Sequence, residues 1–349
     1  MATSLHLPEL ATALTEYGQF GRVTAADLNP LKVKGITHDH LRIRDVEGIL
    51  LRVPRQSQFA VSAEENLRYQ TASFARAWPS GHTPRLIATL NPRPGLPMGA
   101  LLVQEIRGRP MRLSQDFQKT AEALGSIHRL QVPAPGERPP LVDHADPAVA
   151  MLELIERQWA YRNAAHLSAE SRASIGEELA WARSFVAANT SVQPVSLILF
   201  DSHPGNFLIE ESGRAVFIDL EKMLYGSPAA DLAQHTLYTA TTWDIDCAGV
   251  LTPEATQSFY DAYFRALPTA LAEAIEPWIG PMRRLTWLRT ITWSAKWRAL
   301  ASSPRRGDER DEDWSSTPMP PSYRTHVSAR VGDFLAPETI ARVRREWVR

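Results

Sequence analysis

The chain has 349 residues, of which 44% are hydrophobic and 22% are charged, and its formal net charge is −1. This near-neutral composition gives no electrostatic reason to expect nucleic acid or an anionic membrane as a partner, and the length suffices for a large core. A single cysteine, Cys247, excludes an internal disulfide, and the sequence shows neither a signal peptide nor an apolar run long enough to span a bilayer. We therefore expect a cytoplasmic protein.

The first hundred residues mix short strands with two helices. The pattern predicts helices at 8–17 and 63–78, and the second begins with a capping box formed by Ser62 and Glu65. Strands are predicted at 31–33, 40–44, 49–53, 84–89 and 100–105. The last strand runs into Arg107-Gly108-Arg109-Pro110, where we place a boundary between residues 1–106 and residues 107–349.

Helices dominate after this boundary. We expect Ser114 to cap a helix that continues to about residue 130, and apolar residues at helical spacing predict helices at 147–163, 168–189 and 336–348. Thr252-Pro253 is typical of another helix start. The segment 302–323 is rich in proline and charge and is predicted to be a solvated loop, with a mobile flap anchored by Trp314 as the alternative.

The stretch Asp201-Ser202-His203-Pro204-Gly205-Asn206 indicates the chemistry. It lies between two apolar runs, 195–200 and 215–218, which we expect to pair as a hairpin, and Asp219 follows the second run. Carboxylate and amide oxygens are the ligands that Mg²⁺ prefers, and an aspartate beside such a site can orient a hydroxyl. These residue types together favour metal-assisted phosphoryl transfer.

The ordered motifs resemble those of the aminoglycoside phosphotransferase and choline kinase-like family. The similar segments are 35–38, 48–54, 80–86, 101–110, 123–130, 201–206, 218–221 and 226–233. The resemblance implies an α+β, bilobal protein kinase-like fold. Residues 1–106 would form a small β-rich lobe that binds nucleotide, and residues 107–349 a larger, mostly helical lobe with the catalytic loop and the acceptor site.

The same resemblance implies ATP and Mg²⁺ as cofactors and a small-molecule hydroxyl acceptor, such as an amino sugar, an aminoglycoside or an amino alcohol. Asp201 would be the catalytic residue, and Asn206 and Asp219 would bind the metal. The nucleotide would contact Thr37, Arg52, Gln104, Glu105 and Ile106. Asp231 would be a buried carboxylate that orients the loop, and His203 and His235 are expected to be structural.

Two departures from the family pattern leave alternatives open. Leu199 occupies the position of a usual histidine, which we expect to alter packing more than chemistry. Arg52 replaces the usual lysine, and its partner on the next helix is uncertain, because Glu65 and Gln70 both lie near the expected position. A catalytically inactive pseudokinase or nucleotide-binding module is therefore an alternative, and a protein-modifying kinase on the same fold is another.

The acceptor is less well defined by the sequence. Trp278, Trp287, Trp293 and Trp297 suggest an aromatic cage for a quaternary ammonium, although core packing is the commoner use of such residues. Acidic residues near the motif suggest an amino sugar instead. The candidate acceptor contacts are Glu221, Trp243 and Asp244, with Asp246 nearby, although exposed carboxylates at a helix start are commoner than ligands.

Overall fold

An antiparallel sheet organises the N-terminal part of the protein, in a computed structural model that describes residues 5–32, 37–301 and 320–348. Its strands are β1 Leu28–Pro30, β2 His38–Ile43, β3 Ile49–Pro54, β4 Leu86–Leu90 and β5 Ala100–Gln104. They lie in the order β1-β2-β3-β5-β4. Gly48, with a φ of +74°, makes the turn into β3 that a residue with a Cβ atom rarely adopts.

The sheet separates two helices, α1 (Leu7–Tyr17) and α2 (Ala63–Ala77). Successive residues of β5 alternate between two cores, as the two-residue period of a strand requires. Leu102 packs with α1 in a small core, whereas Leu101 and Val103 join α2 in a larger core that continues into the rest of the chain. The predicted capping box of α2 is confirmed, since Ser62 and Glu65 exchange hydrogen bonds of 3.0 and 3.2 Å.

The C-terminal part contains short strands among many helices. The strands are β6 Gly108–Pro110, β7 Ser196–Ile198, β8 Phe207–Glu210, β9 Ala215–Phe217 and β10 Leu224–Gly226. They form two small sheets, β6-β8-β9 and β10-β7. The helices are α3 Leu113–His128, α4 Pro147–Trp159, α5 Ala169–Ala188, α6 Pro228–Thr236, α7 Tyr238–Thr241, α8 Pro253–Arg265, α9 Thr269–Ile275, α10 Ile279–Ala301, α11 Pro321–Phe334 and α12 Pro337–Arg344.

The long helix α10 lies at the centre of this helical part. Buried apolar residues occur around most of its circumference, and it packs against α4, α6 and α11. A helix that is apolar on most sides belongs in a core rather than on a surface. One side of α10 nevertheless carries Arg289 and Lys296, which line a cavity described below.

The two parts meet through specific hydrogen bonds. The hydroxyl of Tyr69 on α2 donates to the carbonyl of Met223 at 2.6 Å, and the amide of Phe217 donates to the carbonyl of His82 at 2.8 Å. The chain crosses from one part to the other between the end of β5 and the start of β6. The predicted α+β fold, with a small β-rich lobe and a larger helical lobe, is thus confirmed.

The prediction that residues 195–200 pair with residues 215–218 as a hairpin is wrong. β7 pairs with β10, and β9 pairs instead with β8, which follows the Asp201 loop. Phe207 and Ile209 on β8 are buried, and alternation over so short a segment is a weak signal in the sequence. The turn at 211–214 is present, and it contains Gly213 with a φ of +86°.

Three smaller expectations also need correction. The first strand is Leu28–Pro30 rather than 31–33, and residue 33 lies outside the described ranges. Helix α3 begins at Leu113 without a Ser114 cap, because the carboxylate of Asp116 accepts the amide of Arg112 at 2.9 Å. Residues 302–319, including Trp314, lie outside the described ranges, but 321–323 begin α11 rather than ending a loop.

Every helix within the described ranges is too short or too polar to cross a bilayer.

Candidate active site

The segment between β7 and β8 is a tight loop that carries Asp201 and Asn206. Residues 204–206 form one 3-10 turn, and the ring Nδ1 of His203 accepts the amide of Gly205 at 3.2 Å. A Cβ atom on Gly205 would lie 2.5 Å from Cγ of Asp244. The close approach of Asp244 therefore requires glycine here, in addition to the bend that the sequence predicts.

A buried carboxylate, Asp231, fixes the start of this loop. It accepts the amide of Leu199 at 2.6 Å and the amide of Phe200 at 2.8 Å. Phe200 has a φ of +62°, a conformation that costs a non-glycine residue about 1 kcal/mol or more. The charge-assisted bonds to Asp231 offset this cost. Because Asp231 binds the backbone of residue 199, the loop keeps its geometry with an apolar, fully buried Leu199 side chain.

Asp201 forms an ion pair that the sequence analysis missed. Nζ of Lys222 lies 2.8 Å from its Oδ2. Burial by itself would raise the pKa of Asp201, but the positive charge of Lys222 and the hydrogen bond from Lys222 lower it to about 2. Asp201 is therefore ionised at neutral pH, and its carboxylate is held in one position. Lys222 lies directly after the Asp219 motif, but only the folded chain brings it to the loop.

Asn206 makes hydrogen bonds through both its side chain and its backbone. Its Nδ2 donates to the backbone carbonyl of Asp201 at 2.9 Å, and its own carbonyl accepts the amide of Ile218 at 3.0 Å. The second bond ties the loop to the residue that precedes Asp219. Since Nδ2 is the donor, the amide oxygen is the atom that a metal ion would bind.

Asp219, Glu221 and His38 form a cluster with the character of a metal site. Each offers one ligand atom, and these atoms lie within 4.8 Å of one another. Burial and the neighbouring Asp219 raise the pKa of Glu221 to about 8, and its Oε2 makes no hydrogen bond within the described part of the chain. A divalent cation would satisfy this buried oxygen and favour its ionised form. The oxygens of this cluster and of Asn206 therefore fit Mg²⁺.

Arg52 crosses from the small lobe to this cluster. Its Nη2 lies 2.5 Å from Oδ1 of Asp219 and 3.2 Å from Nδ1 of His38. Neither helical candidate pairs with it: Gln70 contacts His38 at 3.3 Å, and Glu65 caps α2. Arg52 therefore takes its carboxylate partner from the larger lobe.

A first cavity lies between the lobes and has a volume of about 460 Å³. All the residues that the sequence predicts for nucleotide, metal and catalysis line it, namely Thr37, Arg52, Gln104, Glu105, Ile106, Asp201, Asn206 and Asp219. The amides of Gln104 and Glu105 already donate to Arg85 and Gly48, whereas that of Ile106 makes no hydrogen bond within the described ranges. The Ile106 amide is thus the donor in this segment that a ligand can use.

A second cavity, of about 740 Å³, opens on the other side of Asp201. Asp201, His203, Lys222 and Trp243 line both cavities, so the two adjoin at the loop. Most of its lining residues belong to the larger lobe, with the largest contributions from α4 and α10, and Gln58, Phe59 and Val61 close one side. A molecule in each cavity would therefore meet at the Asp201 carboxylate.

Residues 34–277 match the APH phosphotransferase enzyme family, a match that covers more than two thirds of the chain. The chain belongs to the APH phosphotransferase enzyme family. No curated protein matches it significantly.

Several solved structures are similar to this member of the phosphotransferase family. An ethanolamine kinase from Plasmodium vivax has a TM-score of 0.58 at 14% identity, over 91% of this chain and 85% of the other. A choline/ethanolamine kinase family protein from Mesorhizobium loti has a TM-score of 0.57 at 17% identity, over 99% and 100% of the two chains. The ADP-bound aminoglycoside phosphotransferase APH(2″)-Ib has a TM-score of 0.54 at 13% identity, over 95% and 98%. The protein kinase-like fold predicted from the motifs is confirmed.

The residues that the sequence predicts to contact the acceptor do not all line the same cavity. Glu221 and Asp244 line the first cavity, whereas Trp243 lines both. Of the four tryptophans considered for an aromatic cage, only Trp293 lines the second cavity. The other three, Trp278, Trp287 and Trp297, are at most 7% exposed and belong to the core. The described residues therefore do not bring these four rings together.

His235 is fully buried and bonds on both ring nitrogens. Its Nδ1 lies 2.7 Å from the carbonyl of Ser202, and its Nε2 lies 2.7 Å from Oγ1 of Thr120. Burial lowers the pKa of His235 to about 4, so the ring is neutral at physiological pH. These contacts tie α3 to the loop that carries Asp201, as a structural role would require.

Proposed function

We propose that this chain is an ATP-dependent kinase that transfers the γ-phosphate to a hydroxyl of a small molecule. The observation that carries the proposal is the position of Asp201 where two cavities adjoin, with Asn206 and Asp219 on the side of the first. The family match and the similarity to an ADP-bound phosphotransferase support the same reaction class.

The first cavity would bind the nucleotide. Arg52, whose guanidinium is planar and carries several donors, would neutralise phosphate oxygens. The free amide of Ile106 would meet the adenine edge, and Thr37 would lie beside the phosphates. In the structure, Arg52 contacts Asp219 instead, so nucleotide binding would exchange this contact for one with phosphate.

Asn206, Asp219 and Glu221 would hold Mg²⁺, which would neutralise charge on the donor phosphates. This assigns Glu221 to the metal side of the cleft rather than to the acceptor. The basis is the 3.2 Å hydrogen bond from Thr37 to Glu221 and the shared cluster with Asp219, both in the first cavity.

Asp201 would orient the acceptor hydroxyl and receive its proton late in the transfer. A carboxylate with a pKa of about 2 is a weak base, which suits a loose transition state in which the hydroxyl needs alignment more than early deprotonation. Lys222 would hold the carboxylate, and its ammonium would stabilise negative charge on the phosphoryl group in flight.

One observation favours the alternative of an inactive nucleotide-binding module. Arg52 lies 2.5 Å from Asp219 and so occupies the carboxylate that would bind metal. If this ion pair persisted with nucleotide bound, the metal site would be incomplete. Nucleotide binding without turnover would then be the whole activity.

The test measures nucleotide binding and turnover separately. Thermal-shift titrations with ATP, with and without Mg²⁺, report binding, and ADP release across hydroxylated small molecules reports transfer. We expect Asp201→Asn to lower acceptor-dependent ADP release about 10³-fold while ATP affinity stays nearly unchanged. Asp261→Asn, an exposed aspartate of α8, is the matched control and should behave as the unmodified protein.

Unaltered turnover in Asp201→Asn would contradict the role given to Asp201. Mg²⁺-dependent ATP binding without ADP release on any acceptor would favour the inactive module.

A further inference from the structure

Two polar side chains in the wall of the second cavity have no hydrogen-bond partner in the described part of the chain. Both amide atoms of Gln58, Nε2 and Oε1, are buried without a partner, and so is the hydroxyl of Thr239. Gln58 is 4% exposed and Thr239 is 2% exposed. Most buried amides and hydroxyls in proteins are hydrogen-bonded, because an unpaired one is destabilising. A ligand in the cavity would supply the missing partners.

The segment between β3 and α2 that carries Gln58 is held in a defined conformation. Oγ of Ser57 accepts the amide of Phe59 at 3.1 Å, and Ala60 has a φ of +52°, which is strained for a residue with a Cβ atom. The ring of Phe59 packs on that of Tyr69 at 4.7 Å, within the larger core. Gln58 is therefore anchored against the larger core, although it belongs to the small lobe.

Thr239 reaches the cavity from the larger lobe. It lies on α7, and its neighbour Ala240 and the nearby Trp243 line the same cavity. The volume of about 740 Å³ lies within the usual range for small-molecule sites. Because Asp201 also lines this cavity, we expect a molecule that fills it to contact Gln58, Thr239 and Asp201 together.

The hydrogen-bonding capacity of the two side chains indicates the chemistry of the ligand. The Gln58 amide donates through Nε2 and accepts through Oε1, and the Thr239 hydroxyl does both. A carboxylate or phosphate only accepts and would leave Oε1 of Gln58 unpaired. An ammonium group only donates and would leave Nε2 unpaired. Hydroxyl groups donate and accept, so a molecule with several of them can satisfy all these atoms.

The carboxylates of the two cavities give an amine little to bind on the acceptor side. Among the described residues that line the second cavity, Asp201 is the only carboxylate, and it is paired with Lys222 at 2.8 Å. Glu221 and Asp244, which the sequence suggests for an amine, line the first cavity instead. An ammonium group in the second cavity would therefore have to compete with Lys222 for Asp201.

Aromatic side chains in the wall suit the carbon skeleton of the same ligand. Trp243 and Trp293 both line the cavity and pack edge-on at 5.7 Å. Small-molecule sites commonly combine aromatic walls with a few placed polar groups. A sugar or cyclic polyol matches this combination, because it carries C–H groups on the faces of its ring and hydroxyl groups around the edge.

We propose that the acceptor is a neutral polyhydroxy compound, such as a sugar or polyol, whose hydroxyl groups bind to Gln58 and Thr239. This inference rests on the proposed phosphotransfer function and specifies its substrate class. Another hydroxyl of the same molecule reaches Asp201. Its oxygen forms a bond to the γ-phosphorus of ATP as the bond to the β-phosphate oxygen breaks, ADP leaves, and Asp201 receives the proton. The proposed class differs from the amino sugars and amino alcohols that the resemblance implies.

The first test compares acceptors that share a skeleton and differ in charge or in the number of hydroxyl groups. The cyclic set is glucose, glucosamine, glucuronate and cyclohexylmethanol, and the open-chain set is sorbitol, glucamine, gluconate and 1-hexanol. ADP release gives kcat/KM for each. In at least one set, we expect the neutral polyhydroxy member to exceed its amine, acid and single-hydroxyl counterparts about ten-fold or more.

Two apolar substitutions of similar volume test the side chains separately. Gln58→Met and Thr239→Val should each lower kcat/KM for the preferred polyhydroxy acceptor about ten-fold, and should change that for the single-hydroxyl counterpart less. Thr241→Val is the matched control. Thr241 lies on the same helix and has a buried hydroxyl without a partner in the described ranges, but it lines neither cavity. Its replacement should leave the acceptor constants unchanged.

The melting temperature separates ligand binding from a structural role. Because the side chains of Gln58 and Thr239 make no hydrogen bond within the described chain, their apolar replacements should keep or raise Tm in the absence of ligand. The preferred polyhydroxy probe should raise Tm of the unmodified protein and raise it less in both variants. A lower Tm in both variants without ligand would overturn the assignment, since the two side chains would then support the fold.

Binding without turnover distinguishes the two proposals. Tryptophan fluorescence, to which Trp243 and Trp293 in the cavity wall contribute, measures acceptor binding in the absence of ATP. Preferential binding of glucose or sorbitol without ADP release would overturn the proposed phosphotransfer and support the assignment of the cavity. Turnover with equal or greater preference for the amine, acid or single-hydroxyl members would overturn the assignment and leave phosphotransfer intact. Neither binding nor turnover of glucose and sorbitol would also overturn the assignment.

Discussion

The two cavities that adjoin at Asp201 differ in their carboxylates. Both contain cations, but the first also carries Glu105, Asp201, Asp219, Glu221 and Asp244, whereas the described lining of the second includes Asp201 alone. A site for a metal–nucleotide complex needs both signs of charge, because phosphates require cations and the metal requires carboxylates.

The two cavities also differ in how they are built. Contacts between the lobes organise the first, including Thr37 with Glu221 and Arg52 with Asp219. Residues of the larger lobe, many of them on packed helices, form most of the second. Under the proposed function, nucleotide binding in the first cavity would be coupled to lobe movement, while the second cavity would keep its shape. Variants in each cavity should therefore change different kinetic constants.

The largest effect is expected from Asp219→Ala in the first cavity. Loss of a metal-binding carboxylate should lower turnover about 10³-fold and remove the Mg²⁺ dependence of ATP binding. Binding of an acceptor probe to the second cavity, measured by tryptophan fluorescence without ATP, should stay the same. The probe is the hydroxylated compound that gives the fastest ADP release with the unmodified protein. Asp261→Ala is the control, and an equal loss of probe binding in Asp219→Ala would show that the two cavities do not act separately.

Lys222→Met tests the junction of the cavities and should lower kcat about 10²-fold. The positive charge of Lys222 helps to hold the pKa of Asp201 at about 2, so the ionisation of Asp201 should not limit the unmodified protein near neutral pH. Burial raises the pKa of Asp201, and the charge of Lys222 opposes this effect. The pKa of Asp201 should therefore rise when Lys222 is replaced. The acid limb of the kcat/KM profile should move to higher pH.

The same ion pair stabilises the folded state above the unfolded pKa of aspartate, and this contribution is lost as pH falls towards the folded value. Lys222→Met should therefore also reduce the loss of Tm between about pH 4 and pH 2. An unshifted activity profile would contradict the control of Asp201 by Lys222.

We expect Arg52→Met to change the kinetic constants for ATP and not those for the acceptor. Removing the cation that would bind phosphate should raise KM for ATP about ten-fold and leave KM for the acceptor nearly unchanged. Arg52→Lys retains the charge but not the bidentate geometry and should recover part of the loss. A rise confined to the acceptor KM would contradict the assignment of Arg52 to nucleotide binding.

The smallest effect is expected from Trp293→Leu in the wall of the second cavity. Its ring packs edge-on against Trp243 at 5.7 Å, and replacing it should raise the acceptor KM about three-fold without changing the ATP constants. Trp287→Leu, on the same helix but fully buried, is the contrasting variant. It should lower Tm rather than change acceptor KM selectively.

The local sequence predicts much of the fold because several signals lie close together in the chain. The capping box of Ser62 and Glu65 lies within one helical turn, and Thr252 caps α8 through the amide of Ala255 as expected. The strand partners were harder to predict, since β7 pairs with β10 and not with the apolar run of β9. Pairing depends on the path of the chain, which local residue types do not specify.

The sequence by itself predicted the reaction class that we propose, because Asp201, Asn206 and Asp219 lie within one short stretch whose residue types suit a metal and a hydroxyl. Only the tertiary structure decided what surrounds them. Lys222 reaches Asp201 through a turn, and Arg52 pairs with Asp219 across the two lobes.

The wall of the second cavity was likewise a tertiary result. Arg157 and Lys296 are more than a hundred residues apart in the chain and line the same space because α4 packs on α10. What a cavity can bind depends on which side chains share it, and long-range packing sets that arrangement.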